Sequence, residues 1–310
     1  MTSIETKKSI QKIQKLVLAV IAIISLNVDF AHAGYPDSVI ASNPVLYYRF
    51  NEGSGTSLSN SATGSNAVTQ TATAGTTLIL GSGTTGPRPP AYLGLESDNL
   101  AGIFSGGTGS QVSLSGSGGL YGSLSGKSGI TISTWINPST LPTGSSEDVF
   151  FQLRNGVGST GLQLSLKSGV ISMAGRSQNG DSFSSNSSTY TLSTGTWYQI
   201  TGVWDFSIKT MTLYVNGISL GSYSASGWGS SAFNITTSTS NPILIGSSAS
   251  SSYFHGALDE FAIYNSALSA SQISALYNAA VVPEPTAAHL LLGAVGSLAW
   301  FLRRRRHLSV

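Results

Sequence analysis

Residues 197–223, WYQITGVWDFSIKTMTLYVNGISLGSY, read as three consecutive strands joined by two turns. Asn216-Gly217 stands between two alternating apolar runs. Both central residues of a type I′ turn need positive φ, so this dipeptide marks a two-residue hairpin. The turn sets a register in which Val215 faces Ile218 and Leu213 faces Leu220. Four aliphatic side chains then share one face, with Tyr214 and Ser219 on the other. The aliphatic face is expected to be buried. Tyr198 to Trp204, just upstream, is nearly apolar on both faces, as a strand enclosed in a packed sandwich would be.

The same alternation recurs on either side. Ile130, Ile132, Thr134 and Ile136 interleave with Thr131, Ser133, Trp135 and Asn137, and Pro138 ends the run. A Ser168-Gly169 turn sets Leu166 against Ile171 and Leu164 against Met173. Further strands are expected at Tyr47 to Phe50, Val149 to Leu153, Ile243 to Ile245 and Ala257 to Tyr264. Asn179-Gly180 marks a turn, and Ser182 to Thr191 reads as a polar, exposed strand pair. Thr56 to Arg88 is rich in Ser, Thr and Gly and predicts loops with at most one short strand, near Thr77 to Leu80. One segment changes period. Ser269 and Gln272 form a capping box, Leu268 and Ile273 a hydrophobic staple, and Ile273, Leu276, Tyr277 and Ala280 a single stripe, so a short helix is predicted there.

W-Y-x-I-T-G-V-W-D at 197–205, followed by L-Y-V-N-G at 213–217, resembles the laminin-G-like members of the concanavalin A-like lectin/glucanase superfamily. Tyr47 to Gly55 (YYRFNEGSG), Ile130 to Pro138 (ITISTWINP) and Phe254 to Leu268 (FHGALDEFAIYNSAL) follow in that family's order, so the resemblance covers roughly Tyr35 to Ala280. It implies an all-β, two-sheet antiparallel jelly-roll sandwich. It also implies that Gly102 to Phe104 and Gln111 to Leu114 form a hairpin ahead of the tryptophan strand.

Composition agrees with one large all-β domain over residues 34–282, since the chain holds 36 Gly and only 9% charged residues. Basic residues crowd the ends: between residues 34 and 282 there are seven Lys or Arg against ten Asp or Glu, a net charge near −3. No basic patch is available for a phosphate backbone, which argues against a nucleic-acid partner. Cysteine is absent, so no disulfide supports the core.

Residues 1–33 hold lysines, an apolar run from Leu16 to Leu26 and Ala31-His32-Ala33, the pattern of a leader cut by signal peptidase. The alternative is an N-terminal anchor, although that run falls short of the roughly 20 residues that span a bilayer. At residues 283–310, Pro283-Glu284-Pro285, an apolar run from Ala287 to Leu302 and Arg303 to Arg306 resemble the PEP-CTERM sorting signal of Gram-negative bacteria. The resemblance implies recognition by an exosortase-type transpeptidase, a transmembrane segment in transit and delivery to the cell surface or extracellular matrix. A plain C-terminal anchor is the other reading.

Catalysis of the superfamily's glycosidase type would need acid and nucleophile on one face of a strand, commonly as E-x-D-x-x-E. The nearest pairs here, Glu147-Asp148 and Asp259-Glu260, are adjacent residues that face opposite ways. The mature domain has one histidine, His255, and no G-x-S-x-G element. A non-catalytic module that binds a polysaccharide, or a purely structural or adhesive one, is therefore expected. A divergent glycosidase or lyase is the alternative. The resemblance further implies a structural calcium, and the matching positions are Asn51, Glu52 and Asp259, whose oxygens are the hard ligands calcium takes. Asp259 could equally cap a turn or pair with Arg49. For a sugar, Trp228 between Gly227 and Gly229 offers an aromatic face, with Tyr223 and Tyr253 behind it, although glycines also let such a ring fold into the core. Trp135, Trp197 and Trp204, in strands, are expected in the core.

Overall fold

The computed structural model describes residues 34–281, apart from positions 82, 84, 115–118, 155–159, 179, 182–183, 236–242 and 249–251. The leader, Pro283, Glu284, Pro285, the apolar run and the arginine tail lie outside the described residues, as does Asn179 of the expected Asn179-Gly180 turn.

Among the described residues, fifteen strands make two antiparallel sheets. Sheet A contains β1 (Leu46–Tyr48), β4 (Gly102–Ser105), β6 (Gly129–Pro138), β11 (Tyr198–Asp205), β12 (Thr210–Val215), β13 (Ile218–Ser224) and β15 (His255–Tyr264), in the order β1-β15-β6-β11-β12-β13 with β4 also on β15. Sheet B contains β2 (Ser57–Ser59), β3 (Thr71–Ala74), β5 (Val112–Leu114), β7 (Glu147–Arg154), β8 (Thr160–Lys167), β9 (Val170–Gly175), β10 (Ser184–Thr191) and β14 (Ile243–Ile245), in the order β10-β9-β8-β7-β14-β5-β3-β2. Between the sheets lies the main core, where Ile132, Ile200, Trp204 and Leu213 of sheet A meet Leu153, Leu164, Met173 and Ile245 of sheet B.

A second apolar cluster covers the outer face of sheet A. There Trp135, Val203 and Tyr264 pack beneath α1 (Tyr35–Ala41) and α3 (Ala270–Val281), which explains why β11 is apolar on both faces. The capping box of α3 is realised: Ser269 N donates to Gln272 Oε1 at 2.9 Å and Gln272 N to Ser269 Oγ at 3.3 Å. Leu268 and Ile273 are both buried as the staple requires. Two short helices carry too few turns to show a period, α1 and α2 (Leu120–Leu124).

The Asn216-Gly217 turn has positive φ at both residues, and Val215 pairs with Ile218 as expected. The register then shifts between Thr212 and Tyr214. β13 is the outermost strand, so Leu213 and Val215 are buried while Ile218 is 69% exposed. Leu220 is partly buried against the main core, so of the four residues expected on the buried face only Ile218 is exposed. The Leu166–Ile171 and Leu164–Met173 pairs form as expected. The polar strand pair at Ser182 to Thr191 is instead one strand, β10, at the edge of sheet B.

Thr56 to Arg88 holds two short strands, β2 and β3, and Ile79 makes only an isolated bridge to Ile103. β4 and β5 are not a hairpin. β4 pairs with β15 in sheet A and β5 with β14 and β3 in sheet B, and glycines 106 and 109, both at positive φ, turn the chain from one sheet to the other.

Candidate functional site

The face of sheet B turned away from the main core is mostly polar and runs in register across its eight described strands, with Leu244, Gln152 and Ala174 buried at its middle. Ser57 pairs with Thr73, Thr73 with Ser113, Ser113 with Leu244, Leu244 with Gln152, Gln152 with Gln163, Gln163 with Ala174 and Ala174 with Ser185. At the usual strand spacing this row is about 34 Å wide. Its middle is tied by amides: Gln152 Nε2 donates to Gln163 Oε1 at 2.9 Å, and Gln163 Nε2 to Glu147 Oε1 at 2.8 Å. Glu147 Oε1 also accepts Ser165 Oγ at 2.6 Å. Asp148, paired with the core residue Leu166, lies on the other side of β7. Burial pushes its carboxyl above the usual range, and nearby His255 acts in the opposite sense.

A cavity of about 260 Å³ opens on this row where Ser113 meets Leu244. Thr108, Gln111, Ser248 and Tyr253 complete most of its wall. Tyr253 is aimed there because its neighbour Phe254 turns into the core against Phe104 and Phe150, and successive strand residues point to opposite sides. Ser247 bridges to Tyr253, and Ser247 Oγ donates to Gln111 Oε1 at 2.9 Å, so the tyrosine and the amide are held by one segment.

The three aromatic candidates are not brought together. Trp228 is 1% exposed: its ring lies 4.8 Å from Phe206, and its Nε1 donates to the Gly175 carbonyl at 3.1 Å. The flanking glycines let the indole fold inward, so the expected open ligand platform at Trp228 is corrected to a core position. Tyr223 lies on β13, in the other sheet, with its hydroxyl on the Leu220 carbonyl. Only Tyr253 lines the cavity. Trp135 and Trp204 are buried as expected, and Trp197 is half-buried.

A second polar group forms where β15 changes neighbours. β4 pairs with its first half and β1 with its second, and the register of β15 against β6 shifts between Asp259 and Ala262, with Glu260 at φ +52°. The bulge buries both carboxylates completely. Glu260 accepts the Tyr47 hydroxyl and, at 3.3 Å, Arg49 Nε. Arg49 thus pairs with Glu260 and with Glu96, rather than with Asp259. Asp259 accepts Asn99 Nδ2 at 2.7 Å and the Glu260 amide at 2.8 Å. Burial raises both carboxyls well above their usual range, with Asn99, the Glu260 amide and Arg49 pulling Asp259 back down.

Oxygens of the kind a calcium ion takes gather around Asp259, with the Asn99 Nδ2 donor between two of them. Asn99 Oδ1 is buried without a partner, Asn99 Nδ2 draws in the Pro87 carbonyl at 3.0 Å, and a Cβ placed on Gly86 would fall 2.6 Å from Asp259 Oδ2. These are hard oxygens around one buried carboxylate. The Asn51 Oδ1 is taken by the Leu100 amide, from which it accepts at 2.7 Å. Glu52 is engaged elsewhere, its Oε1 accepting Ser59 N at 3.0 Å. Among the described residues no three acidic or histidine side chains cluster, so an ion here would draw on amide and carbonyl oxygens.

Two packed antiparallel sheets, helices closing one outer face and a polar row on the other, define a lectin-type sandwich. A Concanavalin A-like lectin/glucanases superfamily profile matches residues 105–274, so the chain belongs to that superfamily. A PEP-CTERM protein-sorting motif matches residues 281–306, which marks an exported protein sorted through a membrane to the cell surface. Solved structures with this fold include the binding domain of botulinum neurotoxin serotype G, at 16% identity and TM-score 0.56 over 76% of this chain and 50% of that one. The serotype D ligand-binding domain in complex with N-acetylneuraminic acid gives 15% and 0.56, over 79% and 52%. The binding domain of Paraclostridial Mosquitocidal Protein 1 gives 20% and 0.54, over 77% and 52%. The chain thus spans about half the length of these structures. No curated protein sequence matches it.

Proposed function

We propose that the domain is a non-catalytic glycan-binding module of the cell surface or exopolysaccharide matrix of a Gram-negative bacterium. A sugar ring sits in the cavity beside Ser113 and Leu244, against Tyr253. The observation that carries this reading is the cavity on the in-register polar row. A sugar ring offers an apolar face and a rim of hydroxyls. Tyr253 and Leu244 suit the first, while Gln111, Ser113, Thr108 and Ser248 suit the second. The volume, about 260 Å³, lies below the roughly 300–1,000 Å³ of sites for drug-sized ligands, in keeping with a single ring.

The lining residues carry no formal charge, which favours a neutral sugar. The fold neighbour in complex with N-acetylneuraminic acid supports sugar recognition on this architecture. Glu147 and Asp148 on opposite sides of β7 support binding without hydrolysis. Calcium at Asp259 would serve stability, and the PEP segment would be the recognition site of an exosortase-type enzyme that removes the tail.

A glycan array run with and without calcium, on the wild-type protein and on Tyr253→Ala, tests the reading. Retention of neutral glycans by the wild type, with at least a tenfold loss in the variant, is expected. Wild-type failure to retain any glycan, or full retention by the variant, would overturn it.

A further inference from the structure

We propose that an aromatic and aliphatic patch along α3, from Ser274 to its last turn, rests on the lipid surface while the chain is held by its C-terminal segment. This rests on reading residues 287–302 as a membrane anchor and is independent of the glycan reading.

The patch exposes Leu93 (46%), Tyr190 (39%) and Ile218 (69%), with half-buried Tyr92, Trp197 and Tyr277 among them. These residues gather around one helix. Gly94 N donates to the Ala280 carbonyl at 2.9 Å, which sets Leu93 beside the last turn of α3. A Cβ on Gly217 would lie 2.9 Å from Tyr277 Cβ, which sets Ile218 beside the same helix. Tyr92 Oη donates to the Trp197 carbonyl at 3.1 Å, and the ring of Tyr190 lies 6.4 Å from that of Tyr198, the residue next to Trp197. α3 has no charged residue in its first or last turn. Tyr and Trp favour the headgroup level of a bilayer, where one end of the side chain is apolar and the other wet.

Chain length selects the occupant. Val281 ends α3, and only residues 282–286 separate it from the apolar run that begins at Ala287. Fully extended, that link reaches about 20 Å. That reach is short beside a domain of this size, so the lipid is near Ala280 whenever residues 287–302 are inserted. The other end of the domain leaves from the same place, because Tyr35 N donates to the Gly94 carbonyl at 2.8 Å. A single glycine thus joins the start and the finish of the domain beside Leu93, and an exposed apolar patch there has lipid within reach.

The chain contains no cysteine, so single labels can be placed without a background. Leu93→Cys, Ile218→Cys and Ile208→Cys, all at exposed positions, are labelled with bimane in the full chain and reconstituted in phosphatidylcholine vesicles carrying nitroxide-labelled lipid. Ile208, 67% exposed in the turn between β11 and β12, lies at the opposite end of β12 from Ile218. Labels at 93 and 218 should be quenched several-fold more than the label at 208. Equal quenching at all three would overturn the proposal. So would shielding of 93 and 218 from an aqueous quencher without lipid quenching, which would show a second protein copy on the patch. A label at Gly293→Cys separates the premise: if lipid fails to quench it, the anchor reading has failed and the proposal with it.

Discussion

Tyr47 donates its hydroxyl to Glu260 inside a site closed to solvent, so a neutral donor and one guanidinium, Arg49, share the work of holding a buried carboxylate. Arg49 also divides its charge with the more exposed Glu96, 2.7 Å away. Asp259, the next residue along β15, is buried just as fully and relies on an amide and a backbone N–H. Two adjacent buried carboxyls with so little opposite charge make stability depend on protonation.

Burial raises both carboxyls above their ordinary range. A carboxyl whose folded-state pKa exceeds its unfolded value of about 4 holds its proton more tightly when folded. Its contribution is therefore complete below about pH 4 and is lost as pH rises through the raised value. In the presence of a chelator the melting temperature should fall between mildly acidic pH and about pH 8, and Glu260→Gln should flatten that slope. A wild-type melting temperature that climbs over the same range would contradict this.

A cation at Asp259 would act against that loss. With free calcium at a hundred times its dissociation constant, mass action adds about 2.7 kcal/mol to the folded state. For a domain of this length each kcal/mol moves the midpoint by about 2–4 °C. Chelation should then lower the melting temperature by about 5–10 °C, and Asp259→Asn should abolish the response. Identical melting curves with excess chelator and with millimolar calcium would rule the ion out.

Trp228 and Tyr253 should separate cleanly under mutation. Trp228 fills the interior against Phe206, so Trp228→Ala should cost about 3–5 kcal/mol in urea unfolding. Tyr253→Ala, at a half-exposed cavity wall, should change stability by about 0.5 kcal/mol or less while weakening glycan retention. Equal destabilisation by the two would show that Tyr253 is also a core residue.

Gly94 has no room for a side chain, because a Cβ there would collide with the Ala279 carbonyl. Gly94→Ala should therefore displace the last turn of α3 and cost about 1–3 kcal/mol, the usual range for overpacking. Chemical denaturation followed by circular dichroism measures it, and an unchanged midpoint would show that the turn yields freely.

Much of the fold was legible because local rules and long-range pairing agree. Asn216-Gly217 and Ser168-Gly169 specify their own turns, and Ser269 with Gln272 specifies the start of α3. What escaped depends on the identity of neighbouring strands. Ile218 obeys the alternation of its hairpin, yet β13 has no strand beyond it, so an apolar residue predicted inside is exposed. β4 and β5 read as partners because they are adjacent in sequence, whereas β15 and β14 claim them for different sheets. Among candidate site residues, Tyr253 and Asp259 were visible as residue types. Gln111, Gln152, Gln163 and Glu260 were not, since an amide on a strand carries no local sign of the row it will join, and the burial of Glu260 follows from a bulge that adjacent-residue alternation hides.

Register slips at one edge of each sheet bear on crowding. β13 bounds sheet A and β10 bounds sheet B, and each is irregular against its inner neighbour, at Thr212/Tyr214 and at Ser187/Thr191. Gly221, at φ +111°, further interrupts β13. A long flat border would let one molecule continue the hydrogen-bonded ladder of the next, the first step toward fibrous association. Kinked borders deny that template at these two edges, including the one that carries the apolar Ile218.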